Sequence, residues 1–367
     1  MKKSLIALSL AALPVAAFAD VTLYGQIKGG VEVSQTKVKE GGVTTKDHTK
    51  TEIADFGSRI GFKGHEHVGN NLNAIWKVEQ KTSIAGTDKG WGNREAYIGL
   101  EGGFGTIRAG KIATQLDDMG TIDPWEYNNN ALGLGVFTRT ATKVVSARYD
   151  TPVFGGFSAN VQYTPRDNQT EARGLGTNVD GTGRTNNLGD TSAYYAGLNY
   201  ENSGFFAQYG LGYKKSAYVA NNASKSGQVH RVEAGYDANN LFVGLGYQYT
   251  NGWDSLDSYA AAITNTEYTD ADRAADDSAG VKTHEAAITG AYRFGNVTPR
   301  LSYAHGFKAK TASGKVDGTQ YKQVVVGADY DFSKRTTAMV SAGWLKAGSG
   351  ENKAETTAGL VGLRHKF

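Results

Sequence analysis

From Asp20 onward, apolar and polar residues alternate with a period of two, which sends successive side chains to opposite faces of an extended strand. Val21, Leu23, Ile27, Val31 and Val33 share one face, and Thr22, Tyr24, Gln26, Lys28 and Glu32 share the other. Phe157, Ala159, Val161 and Tyr163 alternate with Ser158, Asn160 and Gln162; Leu241, Val243, Leu245, Tyr247 and Tyr249 alternate with Phe242, Gly244, Gly246 and Gln248. Each segment runs about ten residues, the length at which a tilted strand crosses the apolar core of a bilayer.

A soluble sandwich alternates as well, so the connections must discriminate. One set is short and turn-like, at 67–71, 102–105, 152–156, 202–204, 237–240, 295–299 and 331–335. The other is long and polar, at about 34–57, 82–91, 112–142, 164–191, 214–227, 250–282, 308–321 and 346–356. The two kinds take turns along the chain, seven short and eight long, and define sixteen strands. Short turns at one end and long loops at the other predict an all-β fold, a sixteen-stranded antiparallel transmembrane β-barrel with short periplasmic turns and long extracellular loops. Closure removes the unpaired strand edges that lipid could not satisfy.

Composition agrees: 48 Gly, 20 Tyr and 14 Phe against 5 Pro, 3 Met and no Cys favour strands and tight turns, and exclude a disulfide framework. Residues 1–19 read as a secretory signal peptide, with Lys2 and Lys3, a short apolar stretch, and an A-x-A cleavage site ending at Ala19, so that the mature barrel domain spans 20–367 from Asp20. The 39 basic residues lose Lys2 and Lys3 with that leader and face 36 acids, so the mature chain is nearly neutral and shows no bulk attraction to nucleic acid. On the last strand Gly359, Val361, Leu363, His365 and Phe367 share the outward parity, and the terminal aromatic Phe367 resembles the outer-membrane assembly signal. Tyr149, Tyr163, Tyr200, Phe205, Tyr236, Tyr292 and Phe294 fall near strand ends and fit interfacial girdles against lipid.

The runs DVTLYG at 20–25, GWGNREAYIGL at 90–100, YRFGNVTPRLSYAHGFK at 292–308, VVVGADYDFSKRT at 324–336 and LRHKF at 363–367 resemble the neisserial major outer-membrane porins, within the Gram-negative general trimeric porins. The resemblance spans the mature chain and is weakest in loops 34–57, 164–191 and 250–282. It implies a homotrimeric channel in the cell outer membrane, an inward-folded third loop, passive diffusion of ions and small hydrophilic solutes, some preference for anions, and no cofactor.

Sixteen strands enclose more space than side chains fill, so the lumen is aqueous and the question is what narrows it. The third long loop, 112–142, carries Asp117, Asp118, Asp123 and Glu126 around Pro124-Trp125, and these acids are expected on one side of a constriction. Arg59, Lys63, Lys77, Arg94, Arg108, Lys111 and Arg148 are the candidates for a basic wall opposite. Parity sets Arg59 and Lys63 against Ile60 and Phe62, and Lys77 against Trp76 and Val78; a Lys or Arg on the lipid face at the midplane costs about 2–4 kcal/mol, which an aqueous lumen removes. Glycines near Arg94, Arg108 and Lys111 permit a bulge that reverses their parity.

Enzymatic signals are weak. There is no Cys nucleophile, G-x-S-x-G elbow or HExxH, and His65 with His67 supply two metal ligands without a third. The Gly-x-Gly pairs at 174–176, 210–212 and 244–246 precede no helix and read as small residues packed inside strands. A barrel enzyme and a barrel that merely anchors adhesive loops 164–191 and 250–282 are the competing readings.

Overall fold

The structure is a computed structural model that describes residues 20–86, 92–168, 191–220, 223–264 and 280–367. The leader at 1–19, with Ala19, lies outside these residues, as do most of loop 164–191 and the Gly pair at 174–176. The strand segments begin with β1 (Asp20–Glu40), β2 (Val43–Lys46), β3 (Lys50–Asp55), β4 (Arg59–Gly69), β5 (Leu72–Lys81), β6 (Ala96–Gly102) and β7 (Gly105–Ala113). They continue with β8 (Lys143–Asp150), β9 (Phe157–Thr164), β10 (Ala193–Asn202), β11 (Phe205–Ala220), β12 (Ala223–Ala238), β13 (Leu241–Ser255), β14 (Gly280–Tyr292) and β15 (Val297–Gly306). The last are β16 (Lys310–Thr311), β17 (Gly314–Lys315), β18 (Tyr321–Asp331), β19 (Thr336–Ser349) and β20 (Asn352–Lys366).

Among the described residues, β3 and β4 make one wall strand while β2 and the β16–β17 hairpin belong to loops, so sixteen strands form the wall, each antiparallel to its neighbours. The ring closes because β1 pairs with β4 over Asp20↔His65 to Gln26↔Arg59 and with β20 over Gln26↔Lys366 to Lys39↔Lys353.

The two faces are inverted relative to a soluble protein. Leu245 and Val161 are 56% and 58% exposed, whereas Gln248, Thr250, Glu285 and Gln323 are fully buried. Apolar side chains therefore point outward to lipid, and polar ones inward. Aromatic pairs at the short-turn end, Phe157–Tyr200 at 4.5 Å, Phe205–Tyr236 at 5.0 Å and Tyr292–Phe294 at 4.6 Å between ring centroids, form an interfacial belt. The tight turns use left-handed backbone: Asn70 and Asn71 at φ 51° and 57°, and Asn239 and Asn240 at 54° and 65°, supply the positive φ pair of a hairpin matched to strand twist.

The strands reach further than the apolar alternation predicts. In 214–227 the ladder persists to Ala220↔Ala223, and in 346–356 to Ser349↔Asn352, where long loops were expected. In 34–57, β1 continues to Glu40 and folds back through β2. Backbone pairing needs no apolar face; beyond the bilayer both faces turn polar, so the alternation fades while the ladder continues.

Candidate pore constriction

The segment between β7 and β8 turns into the barrel. It opens with a four-residue helix, Gln115–Asp118, and then makes hydrogen bonds to inward-facing residues around much of the wall. Gln115 bonds Asn160 and Asn199 at 2.5 and 2.7 Å; Arg231 donates to the Leu116 carbonyl; Gly120 N donates to Glu233 at 3.0 Å. Further along, Thr289 donates to the Ile122 carbonyl at 2.5 Å, Trp125 Nε1 to Ser302 at 2.8 Å, and Gln323 to the Asn130 carbonyl at 2.6 Å. Asn128 N donates to Glu32 on β1 at 3.3 Å.

Apolar packing fixes the same path. Ile122, Trp125, Leu132, Leu134, Val136 and Phe137 form a buried apolar core with Ala287, Ala304, Val325, Met339 and Leu345 of the inner wall. Room for it comes from inward glycines: a Cβ on Gly244 would meet Ile122 at 2.7 Å, and one on Gly246 would crowd both Ile122 and Phe137. Those glycines and Gly210, against Met119 and Leu116, are the small residues anticipated inside strands.

The four acids divide. Asp117 pairs with Lys143, and Asp118 lies 2.6 Å from Arg148 with its side chain 43% exposed. Glu126 pairs with Lys28 and lies 3.2 Å from Arg364. Asp123 instead turns inward to its own loop, accepting from Leu134 N at 3.0 Å and from the Tyr127 hydroxyl at 2.8 Å. Burial pushes the Asp123 carboxyl up to about 6, against the opposing pull of those hydrogen bonds.

The bases also divide. Arg59, Lys77 and Arg94 gather on Glu79, at 3.5, 3.9 and 2.6 Å, with the Tyr24 hydroxyl donating to the same carboxylate at 3.0 Å, and Lys77 also pairs with Glu95. Lys63 lies on this face, 5.8 Å from the Tyr24 ring centre, and meets no carboxylate among the described residues. Arg108 and Arg148 stand opposite one another across β7 and β8 and share Asp150, each at 2.7 Å. Lys111 departs from the expected row: it pairs across strands with Ala96 and Val145, the outward parity of Ile107, and donates to the Asn93 carbonyl at 2.9 Å. Gly110 adopts φ 138° without shifting the register, so no bulge returns Lys111 to the lumen.

Several residues at the site escaped attention in the sequence. Arg139, on the loop, spans Asp254 at 3.0 Å and Glu285 at 2.6 Å. Burial opposes its charge, but the two carboxylates hold it above the ordinary guanidinium range. Arg300 pairs with Asp329, donates to the Pro124 carbonyl, and stacks 4.8 Å from the Trp125 ring. Lys28, Arg231, Arg300 and Arg364 all occupy the polar parity of their strands, and that parity was the available signal.

Residues 28–367 match the Gram-negative porin family. The chain is 54% identical to the major outer membrane protein P.IB of Neisseria sicca, over all of both chains, and 50% identical to that of Neisseria meningitidis serogroup A, again over all of both. In fold it is similar to the anion-selective porin from Comamonas acidovorans, at a TM-score of 0.65 and 20% identity over 95% of this chain and all of that one. Salmonella typhi OmpF, in complex with daunomycin, gives 0.64 and 19% over 95% and 98%. The inverted faces, the closed sixteen-strand wall and this match lead to one conclusion: the chain belongs to the Gram-negative porin family and is an outer-membrane channel for passive diffusion.

Proposed function

We propose that this channel prefers anions and that the loop between β7 and β8 forms its constriction. The observation that carries the reading is the imbalance on the wall opposite the loop. Among the described residues, Arg59, Lys77, Arg94, Arg108 and Arg148 form ion pairs with only Glu79, Glu95 and Asp150 of the same wall and Asp118 of the loop, Lys63 pairs with none, and the loop's Asp117 is taken by Lys143. Facing rows of opposite charge create a transverse field, and the excess of base attracts anions into an aqueous constriction whose low-dielectric walls focus that field. The fold neighbour from Comamonas acidovorans is itself described as anion-selective. Zero-current reversal potentials across a planar bilayer in a KCl gradient test this: a sign that reports chloride as the more permeant ion supports it, and a cation-selective potential rejects it.

The channel acts as a homotrimer. Supporting this, the wall is lowest at β6, with 7 residues, and at β8 and β9, with 8 each, whereas β11 and β12 have 16. A strand needs about 9–11 residues to span the bilayer, so the low side suits cover by another copy better than exposure to lipid. Mass measurement by light scattering in detergent checks the copy number. Cleavage after Ala19, with Asp20 as the mature N-terminus, completes the reading, and N-terminal sequencing of the membrane-extracted protein checks it. Phe367 serves as the assembly signal.

A further inference from the structure

Besides the loop between β7 and β8, a second segment enters the barrel. The nine-residue helix Leu256–Thr264 follows β13 and comes close to β14 on one side and to β19 and β20 on the other. In the wall, β15 and β18 separate β14 from β19; three strand spacings make roughly 14 Å, and nine helical residues reach about 14 Å. The helix packs on inward-facing side chains: Tyr259 and Ile263 are buried in one apolar cluster with Tyr321, Leu345 and Ala347. It therefore takes a chord across the inside of the ring.

Two contacts fix where it sits. A Cβ on Gly306, the last residue of β15, would overlap the Tyr321 ring and stand 3.1 Å from Tyr259 Oη, so the helix is seated at the long-loop end of the wall, where glycine leaves room. The Tyr259 ring also lies 4.8 Å from the Arg139 guanidinium, which holds Asp254 just before the helix and Glu285 on β14. Arg139 belongs to the returning end of the loop between β7 and β8, so the helix is fastened on the long-loop side of that loop. The apolar core of the loop fills the same half of the lumen, against β14 to β20. At 3.6 residues per turn, Ser258 and Ala261 point away from Tyr259 and Ile263; Ser258 is exposed and Ala261 half-buried.

We propose that this helix is a second size-selecting element, an outer restriction in series with the loop between β7 and β8. It roofs the half of the lumen lined by β14 to β20 and confines entering solutes to the side of β4 to β8. The small side chains of Ser258 and Ala261 border that entry path, and the width left beside them sets the largest solute admitted from the long-loop side. The inference rests on the channel reading but not on its anion preference: reversal potentials judge the preference, whereas conductance and size cut-off judge the helix.

The test uses the full mature protein in planar bilayers, reading single-channel conductance and the access of neutral polyethylene glycols of graded size from each side. Ser258→Trp/Ala261→Trp adds bulk to the unpacked side of the helix, and is expected to lower conductance roughly 1.5-fold and to reduce the polymer cut-off from the long-loop side only. Tyr259→Ala, which unseats the helix, is expected to raise both. Tyr259→Phe is expected to match the parent, because the Tyr259 hydroxyl has no hydrogen-bond partner among the described residues. Parent-like conductance and cut-off in the double variant overturn the proposal, whether or not Tyr259→Ala folds, and so does a cut-off that moves equally from both sides.

Discussion

Arg148 and Asp118 meet where the β8 wall faces the loop, with guanidinium Nη1 2.6 Å from carboxylate Oδ2; the arginine is buried and the aspartate side chain is 43% exposed. The same guanidinium donates to the Ala113 carbonyl at 2.8 Å, so it fixes the start of the loop as well as its charge. Lys143 and Asp117 repeat the arrangement alongside. Replacing Asp117 and Asp118 together by Asn removes both acids while leaving Arg148 and Lys143 in place. Chloride permeability relative to potassium is expected to rise, read from the reversal potential in a KCl gradient, and an unchanged potential would mean that neither acid faces the ion path.

Lys63 offers the converse experiment. Among the described residues its ammonium meets no carboxylate and lies 5.8 Å from the Tyr24 ring centre, whereas Arg59, Lys77 and Arg94 are held by Glu79. A charge without a local partner contributes most to the field in the lumen and least to the fold. Lys63→Ser is expected to lower anion preference more than Arg94→Gln does, with thermal stability within about 0.5 kcal/mol of the parent, as for most exposed substitutions. A larger selectivity change in Arg94→Gln reverses this ranking of the two.

Asp123 predicts a pH dependence confined to the loop. Burial raises its carboxyl in the fold to about 6, above the ordinary value of 3.8 it recovers when the loop unfolds. The folded loop therefore binds the extra proton between those two values, and its stability falls as pH rises through that window and levels off above it. Hydrogen exchange at the Leu134 amide, which donates to Asp123 Oδ1, reports the opening equilibrium. After correction for intrinsic exchange, protection is expected to fall from pH 4 to pH 6.5 in the parent and to stay level in Asp123→Asn. A level profile in the parent removes the titration.

How far the sequence reveals the channel depends on which physical signal each part leaves. Period-two alternation is written in every wall strand because lipid and water face opposite sides, so Leu245 and Gln248 disclose their faces without a structure. Strand ends above the membrane leave no such trace, and Ala220↔Ala223 and Ser349↔Asn352 stayed hidden for that reason. The acids of the loop could be located, but not which way each points: Asp118 reaches Arg148 whereas Asp123 caps Leu134 of its own loop, and a loop has no parity to separate the two. Arg139 was missed because its partners, Asp254 and Glu285, lie 115 and 146 residues away.

Gly25 and Phe367 carry the seam of the barrel. They exchange two backbone hydrogen bonds, Gly25 N to Phe367 O at 3.0 Å and Phe367 N to Gly25 O at 3.1 Å. A Cβ on Gly25 would stand 2.6 Å from Phe367 Cζ and 2.7 Å from the Arg59 carbonyl, so glycine makes room for the terminal ring against β1. Gly25→Val is expected to reduce the yield of folded barrel from lipid-assisted refolding at least as severely as Phe367→Ala, with yield read as the heat-modifiable band on electrophoresis. Full refolding of Gly25→Val would show that the seam closes without this contact.

Arg139 is the anchor with most to lose. It joins the far end of the loop to Asp254 and Glu285, and Glu285 is fully buried, with the Tyr321 hydroxyl donating to it at 2.9 Å. Removing the arginine alone leaves a buried carboxylate with its cation gone, a change that costs about 3–5 kcal/mol in comparable settings, whereas removing both charges costs much less. Arg139→Met is therefore expected to loosen the loop and increase current noise in single-channel records, and Arg139→Met/Glu285→Gln to recover most of the quiet open state. If the double variant is as noisy as the single, the loop end depends on Asp254 or on the Arg139 contact with the Tyr259 ring, at 4.8 Å, rather than on the buried pair.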